Sequence, residues 1–198
     1  SNHTDLNAFK LRAKSMEYKN TLEFMEALNK FVFDIPKLIT NVTPIIIEGE
    51  QIISKKSVEN TIFERFKDIP YLNRIEVVKQ SLFSQVENKY LSSKDNSHFD
   101  YVEDKKTFYD FCKAQVDAQV DAMIKTLDSV DIYKLLWSNI EKYTNMDLNS
   151  TKELTLNYLN NNEVKFEDIT PIIYIRSSLE GFRSYGNMKQ VLIDEAQD

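Results

Sequence analysis

The stretch TLEFMEALNKFVFDIP, residues 21–36, decides the fold class of this chain. Its apolar residues recur at intervals of three and four positions: Leu22, Met25, Leu28, Val32 and Ile35. This spacing places them on one face of an α-helix, with Asn20 or Thr21 as the N-cap and Pro36 where the helix should end. The stretch therefore predicts an amphipathic helix that packs one face against a core.

The segment PIIIEGEQII, residues 44–53, interrupts the helical pattern. It places Glu48-Gly49-Glu50 between two β-branched runs, which is typical of a small hairpin over about 43–53. The chain has only three glycines and four prolines, which favours long helices and few tight turns. We therefore expect a mainly α fold with one hairpin. Further helices are predicted from a Ser54 or Ser57 cap, at about 72–90, and at about 129–142, 150–160 and 167–180.

The stretch SSKDNSHFDYVED, residues 92–104, is polar and acidic without a sustained period, so it predicts an exposed loop. The tetrapeptide repeat QVDAQVDA, residues 115–122, follows it. On a helix the repeat stacks Asp117 over Asp121, and a lysine lies four residues from each of them. A solvated face balanced by lysines is favoured over a metal site. The histidines His3 and His98 also lack a metal-binding spacing with Cys112, and we assign them no role.

The composition limits the classes of protein to consider. A net charge of −6 and a pI near 5.1 argue against a direct grip on nucleic acid, which needs clustered Lys and Arg. The apolar runs are far shorter than the roughly 20 residues of a membrane span, and no signal sequence opens the chain. Cys112 is the only cysteine, so no internal disulfide can form. We expect a cytoplasmic protein without membrane contact.

The last eight residues, VLIDEAQD, carry the strongest chemical signal. Residues 190–193 have the character of a buried strand, and Asp194-Glu195 would stand at its carboxyl tip. P-loop NTPases use such an arrangement to hold Mg²⁺ through water and to orient the attacking water. A Gly-rich phosphate loop is absent, because Gly181 and Gly186 are followed by Asn187-Met188 instead of lysine and a hydroxyl residue.

At these residues the chain resembles the UvrD-like superfamily 1 helicases, and within them the HelD (helicase IV-like) group. IDEAQD resembles the Walker B motif of that family, and EDITPIIYIRSSLEG, residues 167–181, resembles the helix before it. A weaker likeness covers residues 14–31 and 43–66, whereas residues 92–160 show nothing specific.

The resemblance implies roles for three residues. Asp194 would associate with Mg²⁺ through water, Glu195 would be the catalytic base of ATP hydrolysis, and Gln197 would couple nucleotide state to the motor. It also implies that residues 1–165 form an inserted helical domain and that residues 166–198 re-enter a RecA-like α/β ATPase domain, domain 1A, at Walker B. We expect the chain to be a fragment of a longer protein that uses ATP and Mg²⁺. Alone it should be inactive, because it lacks the P-loop.

The partners implied by the resemblance are DNA, RNA polymerase, or both, through the longer protein. The acidic balance favours RNA polymerase, because an acidic arm can occupy a cationic channel that normally holds DNA. The terminal strand is also expected to find a partner: it pairs with the hairpin at 43–53, packs on the helical body, or contacts a second copy of the fragment. The alternative is a non-enzymatic helical interaction module in which the DEAQD ending is accidental.

Overall fold

The computed structural model of the chain describes residues 2–91 and 102–181. Its described part is mainly helical with one small antiparallel sheet, which confirms the predicted fold class at that level. In chain order the elements are α1 (Asn2–Lys19), α2 (Leu22–Ile39), β1 (Ile45–Ile47), β2 (Glu50–Ile53), α3 (Lys55–Glu59), α4 (Tyr71–Val86), α5 (Val102–Met123), α6 (Ser129–Ser138), α7 (Asn149–Asn160) and α8 (Phe166–Glu180). Short π-helical turns follow α3 and α4, at Asn60–Arg65 and Glu87–Leu91, and a 3₁₀ turn at Ile140–Lys142 follows α6.

The chain divides into two compact units, and the division falls inside α2. The described residues of Ser1–Ile35 and Leu127–Asp198 form what we call the terminal unit, and Pro36–Thr126 contains the central unit. The domain boundary predicted at 165/166 concerns the longer protein and stays a prediction.

The terminal unit is built around aromatic side chains. α6 packs against α7 and α8, and α1 packs against the same two helices. Trp137 of α6 stacks on Phe24 of α2 at 5.9 Å between ring centroids, and Tyr18 and Tyr133 meet the indole edge-on. All four rings are buried. Large rings of this kind bury much apolar area and add specific pair geometry, so they hold the helices of this unit together.

The core face of α2 differs from the predicted one. Leu28 and Ile35 are buried as expected, but Leu22 and Met25 are exposed, at 72% and 42% of their surface. The buried positions include Phe24 and Phe31 instead. The apolar residues of α2 cover about half of the helix surface. The predicted series follows one edge of that face, whereas the core takes its centre, with Phe24 and Phe31. The helix also continues past Pro36 to Ile39.

The hairpin of the central unit forms where the sequence predicts it. β1 and β2 pair antiparallel, with Ile46 opposite Gln51 and Ile47 opposite Glu50. Glu48 and Gly49 connect them with φ angles of +51° and +77°. Two consecutive positive φ angles are the mark of a two-residue type I′ turn, whose twist matches that of the strands. Ile45, Ile47 and Ile53 point into the core and are fully buried.

Helix α5 holds the hairpin through one side chain of the tetrapeptide repeat. The Gln119 amide donates to the Ile46 carbonyl at 2.7 Å, and its oxygen accepts from the Ile46 N–H at 2.9 Å. Val116 and Val120 of the repeat are buried, while Asp121 pairs with Lys79 of α4 at 2.8 Å. Asp121 is exposed and paired with a lysine, as predicted. The lysine, however, is Lys79 of another helix and not Lys125.

Several predicted boundaries shift, and some predicted features lie outside the described residues. Ser54 caps α3 by accepting from the Ser57 N–H, as expected. Helix α5 begins at Val102, inside the stretch predicted as a loop, and residues 92–101 are not described. The predicted terminal strand at 190–193 also lies outside the described residues. Helix α1 was not predicted as a whole, because its buried positions include the polar residues Ser15 and Lys19 and form no clear apolar stripe.

Candidate functional site

The residues predicted to carry ATP chemistry, Asp194, Glu195 and Gln197, lie outside the residues that the structure describes. Their roles and the RecA-like surroundings stay predictions. The helix expected before them is α8, which the structure does describe.

A buried ion pair joins α8 to α1. Lys19, the last residue of α1, places its Nζ atom 2.8 Å from Oδ1 of Asp168, in the first turn of α8. The Tyr133 hydroxyl donates to the same oxygen at 2.5 Å, and Lys19 also donates to Thr155 Oγ1 at 2.8 Å. The Lys19 ammonium lies 5.0 Å from the centre of the Trp137 ring. One lysine thus binds side chains from three helices.

Burial dominates the electrostatics of this cluster. The side chains of Lys19 and Asp168 are 2% and 0% exposed. Burial lowers the pKa of Lys19, and the charge of Asp168 opposes that shift. The pKa of Tyr133 is raised well above its usual value by burial, and the neighbouring carboxylate adds to the effect. The hydroxyl therefore stays protonated and available to donate.

The chemistry open to this cluster is positioning and not turnover. Its charged atoms have almost no exposed surface, so a substrate cannot reach them. Asp168 Oδ2 is buried without a hydrogen-bond partner, which leaves the carboxylate dependent on the two donors at Oδ1. Sequence reasoning missed the cluster, because an acid in the first turn of a helix usually indicates a favourable end charge and nothing more.

A second feature is an open cavity in the central unit. It has a volume of about 540 Å³ and lies between the end of α2, α3 and the π-helical turn Asn60–Arg65. Lys37, Lys55 and Lys56 line it together with the ring of Phe63. Lys55 and Lys56 are adjacent in the sequence, but nothing in the sequence places Lys37 beside them.

Across residues 2–91 and 102–181, no group of three or more His, Cys, Asp and Glu side chains is arranged to hold a metal ion. Within the same residues, no helix combines the length and the apolar character needed to cross a membrane.

Comparison with known proteins provides no relative. No protein-family model, no curated protein and no solved structure matches the chain.

Proposed function

We propose that this chain is a segment of an ATP-hydrolysing helicase or translocase motor of the UvrD-like, HelD type. The observation that carries the proposal is the sequence VLIDEAQD at 191–198, in which an apolar run delivers two acids followed by Ala-Gln-Asp. A mainly helical body with one small hairpin is compatible with an inserted helical domain of such a motor. In this proposal residues 166–198 lead into RecA-like domain 1A.

Three residues would carry the chemistry. Asp194 would hold Mg²⁺ through water, Glu195 would accept the proton of the attacking water, and Gln197 would couple nucleotide state to movement. ATP bound with Mg²⁺ supplies the phosphoanhydride that is cleaved. The phosphates need a P-loop, which has to come from outside these 198 residues, because the sequence contains no GxxxxGK[ST].

The partner proposed for the helical body is RNA polymerase in preference to DNA. The chain carries 31 acidic and 25 basic residues, for a net charge of −6. Phosphate backbones repel such a surface, whereas a cationic channel attracts it and accelerates association. DNA would then contact other parts of the longer protein.

The test of the motor is a pair of substitutions in the longer protein. Glu195→Gln keeps the side-chain shape but cannot accept the proton, so ATP binding should survive while hydrolysis falls by about 10²- to 10⁴-fold. Asp194→Ala should weaken Mg-dependent nucleotide binding as well, because it removes a ligand-positioning carboxylate. The measurements are nucleotide affinity and steady-state ATPase, with DNA or RNA polymerase added.

The matched control is Glu163→Gln, at an exposed glutamate between α7 and α8 that pairs with Lys165. It changes the charge by the same amount outside the motif and should keep full ATPase activity. Hydrolysis at the wild-type rate by Glu195→Gln would contradict the motor proposal. It would favour the alternative of a helical interaction module without enzymatic activity.

A further inference from the structure

The open cavity of the central unit has the volume of a small-molecule site. Its volume of about 540 Å³ falls within the roughly 300–1,000 Å³ typical of ligand pockets. One wall is the π-helical turn Asn60–Arg65, which brings Asn60 and Phe63 to the cavity. π-helical turns are rare and occur frequently at functional sites, because the wider turn changes the direction of side chains. We call this cavity the lysine pocket.

The charges around the lysine pocket are not balanced by internal pairs. Lys37, Lys55 and Lys56 line it, and none of the three forms a salt bridge with any residue that the structure describes. Lys37 instead places its ammonium 5.9 Å from the centre of the Phe63 ring. By contrast, Lys19, Lys79, Lys152 and Lys165 each pair with an acid. The pocket therefore keeps three ammonium groups available to an anion.

Two acids also line the pocket, and they restrict which anion fits. Glu59 and Glu64 face the same cavity, so the excess is one positive charge. A polyanion such as a nucleic-acid backbone would meet both carboxylates and be repelled. A single phosphate can reach the lysines, while hydroxyl or amino groups of the same ligand can donate to the carboxylates. The half-buried Phe63 ring provides an apolar surface for a planar group.

We propose that the lysine pocket binds a phosphate monoester attached to a planar ring, of the size of a nucleoside monophosphate. Lys55 and Lys56 bind the phosphate oxygens, Phe63 contacts the ring, and Asn41 and Asn60 supply hydrogen bonds from their exposed amides. This is a binding site and not a catalytic one, because no Gly-rich backbone or paired base stands among its lining residues. It is independent of the proposed ATP chemistry of Asp194 and Glu195.

The test is a titration of the 198-residue chain with AMP, followed by calorimetry and by amide chemical shifts. Ribose 5-phosphate and adenosine are titrated separately, because they carry the phosphate without the base and the base without the phosphate. We expect AMP to bind more tightly than either, with shifts at Asn60 and Phe63. Equal affinity for AMP and adenosine, or no binding of AMP, would overturn the proposal.

Two pairs of lysines make a matched comparison. Lys55→Gln/Lys56→Gln should weaken AMP binding by about tenfold or more, as expected for the loss of charge-assisted hydrogen bonds. Lys105→Gln/Lys106→Gln removes the same charge from exposed positions on α5 and should change the affinity by less than about twofold. Equal weakening by the two variants would show diffuse attraction only and would overturn the site.

Phe63→Leu separates the ring contact from the phosphate contact. It keeps an apolar side chain of similar size but removes the aromatic face, so AMP affinity should fall by about fivefold. Binding of ribose 5-phosphate should stay unchanged. If Phe63→Leu leaves AMP affinity unchanged, the ring assignment is wrong.

Discussion

The carboxylate of Asp168 shows how burial decides the energetics of one residue. It receives the Lys19 ammonium and the Tyr133 hydroxyl on a single oxygen, and its other oxygen has no partner. Removing two charges from water costs several kcal/mol, and the pair offsets that cost only through good geometry. The ion pair therefore adds little to the free energy of unfolding. Removing one partner, however, leaves the other as an unpaired buried charge.

This asymmetry predicts the outcome of a double-mutant cycle. Asp168→Asn or Lys19→Met should each lower the free energy of unfolding by about 3–5 kcal/mol, because each leaves one buried charge unpaired. The double variant Lys19→Met/Asp168→Asn should lose clearly less than the sum of the two single losses, because it leaves no buried charge. Urea unfolding followed by the fluorescence of Trp137 measures this, since Trp137 is the only tryptophan and lies in the core of the terminal unit.

The control for this cycle is the exposed pair of Lys165 and Glu163, at 3.2 Å. Glu163→Gln should change the free energy of unfolding by less than about 0.5 kcal/mol, because water screens exposed pairs. Additive losses for Lys19 and Asp168 would mean that their contact contributes nothing, contrary to this account.

At the scale of elements, the hairpin depends on α5 for one pair of hydrogen bonds. Gln119 satisfies both backbone groups of Ile46, whose side chain is 44% exposed and adds little burial. Gln119→Ala should destabilise the central unit by about 1–2 kcal/mol, because it removes two hydrogen bonds of ordinary strength. It should also speed hydrogen exchange at the Ile46 amide, which is the direct readout.

The tetrapeptide repeat provides the matched control. Gln115 is the equivalent residue one turn earlier on α5, and it is partly exposed. Gln115→Ala should leave the exchange rate of Ile46 unchanged and the free energy of unfolding within about 0.5 kcal/mol. Equal effects of the two substitutions on Ile46 would show that the Gln119 bonds do not hold the strand.

The elements also show what the sequence could and could not predict. The hairpin and α3 were predictable, because Glu48-Gly49 and the Ser54 cap are local signals that the structure keeps. The face of α2 was predicted only in part, because the series that includes Leu22 and Met25 follows one edge of a broad apolar face and leaves out Phe24 and Phe31 at its centre. Helix α1 was missed because its own buried residue Lys19 is charged, and the ion pair of Lys19 with Asp168 fixes α1 to α8.

At the scale of the whole molecule, neither candidate site could be predicted, because each brings together residues from distant parts of the chain. Lys19 and Asp168 are 149 positions apart by their numbers, and neither has a spacing that signals the other. Lys37 meets Lys55 and Lys56 across the hairpin segment. By contrast, the Walker B likeness is local, which is why the sequence offers it directly.

The stability of the whole chain should fall steeply at alkaline pH, because burial raises the pKa of several tyrosines. Burial is the largest cause for Tyr18, Tyr71, Tyr133 and Tyr143, and the pKa of Tyr143 rises to about 12. In the unfolded chain tyrosine loses its proton near pH 10. Between about pH 10 and 12 the unfolded state therefore binds fewer protons than the folded state, and stability is lost as pH rises.

Two lysines change the same curve in opposite directions. Because the pKa of Lys19 is lowered in the folded state, the folded protein releases this proton at a lower pH than the unfolded chain does. The free energy of unfolding therefore rises with pH until the usual lysine pKa of 10.5 is passed. The pKa of Lys79 is raised by its hydrogen bond to Asp121, so its contribution is lost above that value, like that of the tyrosines. A single variant is needed to isolate one tyrosine from this background.

The variant Tyr143→Phe isolates the contribution of one tyrosine hydroxyl to the alkaline loss of stability. The Tyr143 hydroxyl donates to Asp34 at 2.9 Å, so at pH 8 the variant should be less stable than the wild type by about 1 kcal/mol. As pH rises from 10 to 12 the difference should shrink and then change sign. A hydroxyl whose pKa is about 12 in the folded state and near 10 in the unfolded chain loses more stability across this window than its hydrogen bond contributes. Urea midpoints at pH 8, 10, 11 and 12 decide the matter: a Tyr143→Phe difference that stays constant would mean that this hydroxyl does not contribute to the alkaline loss of stability.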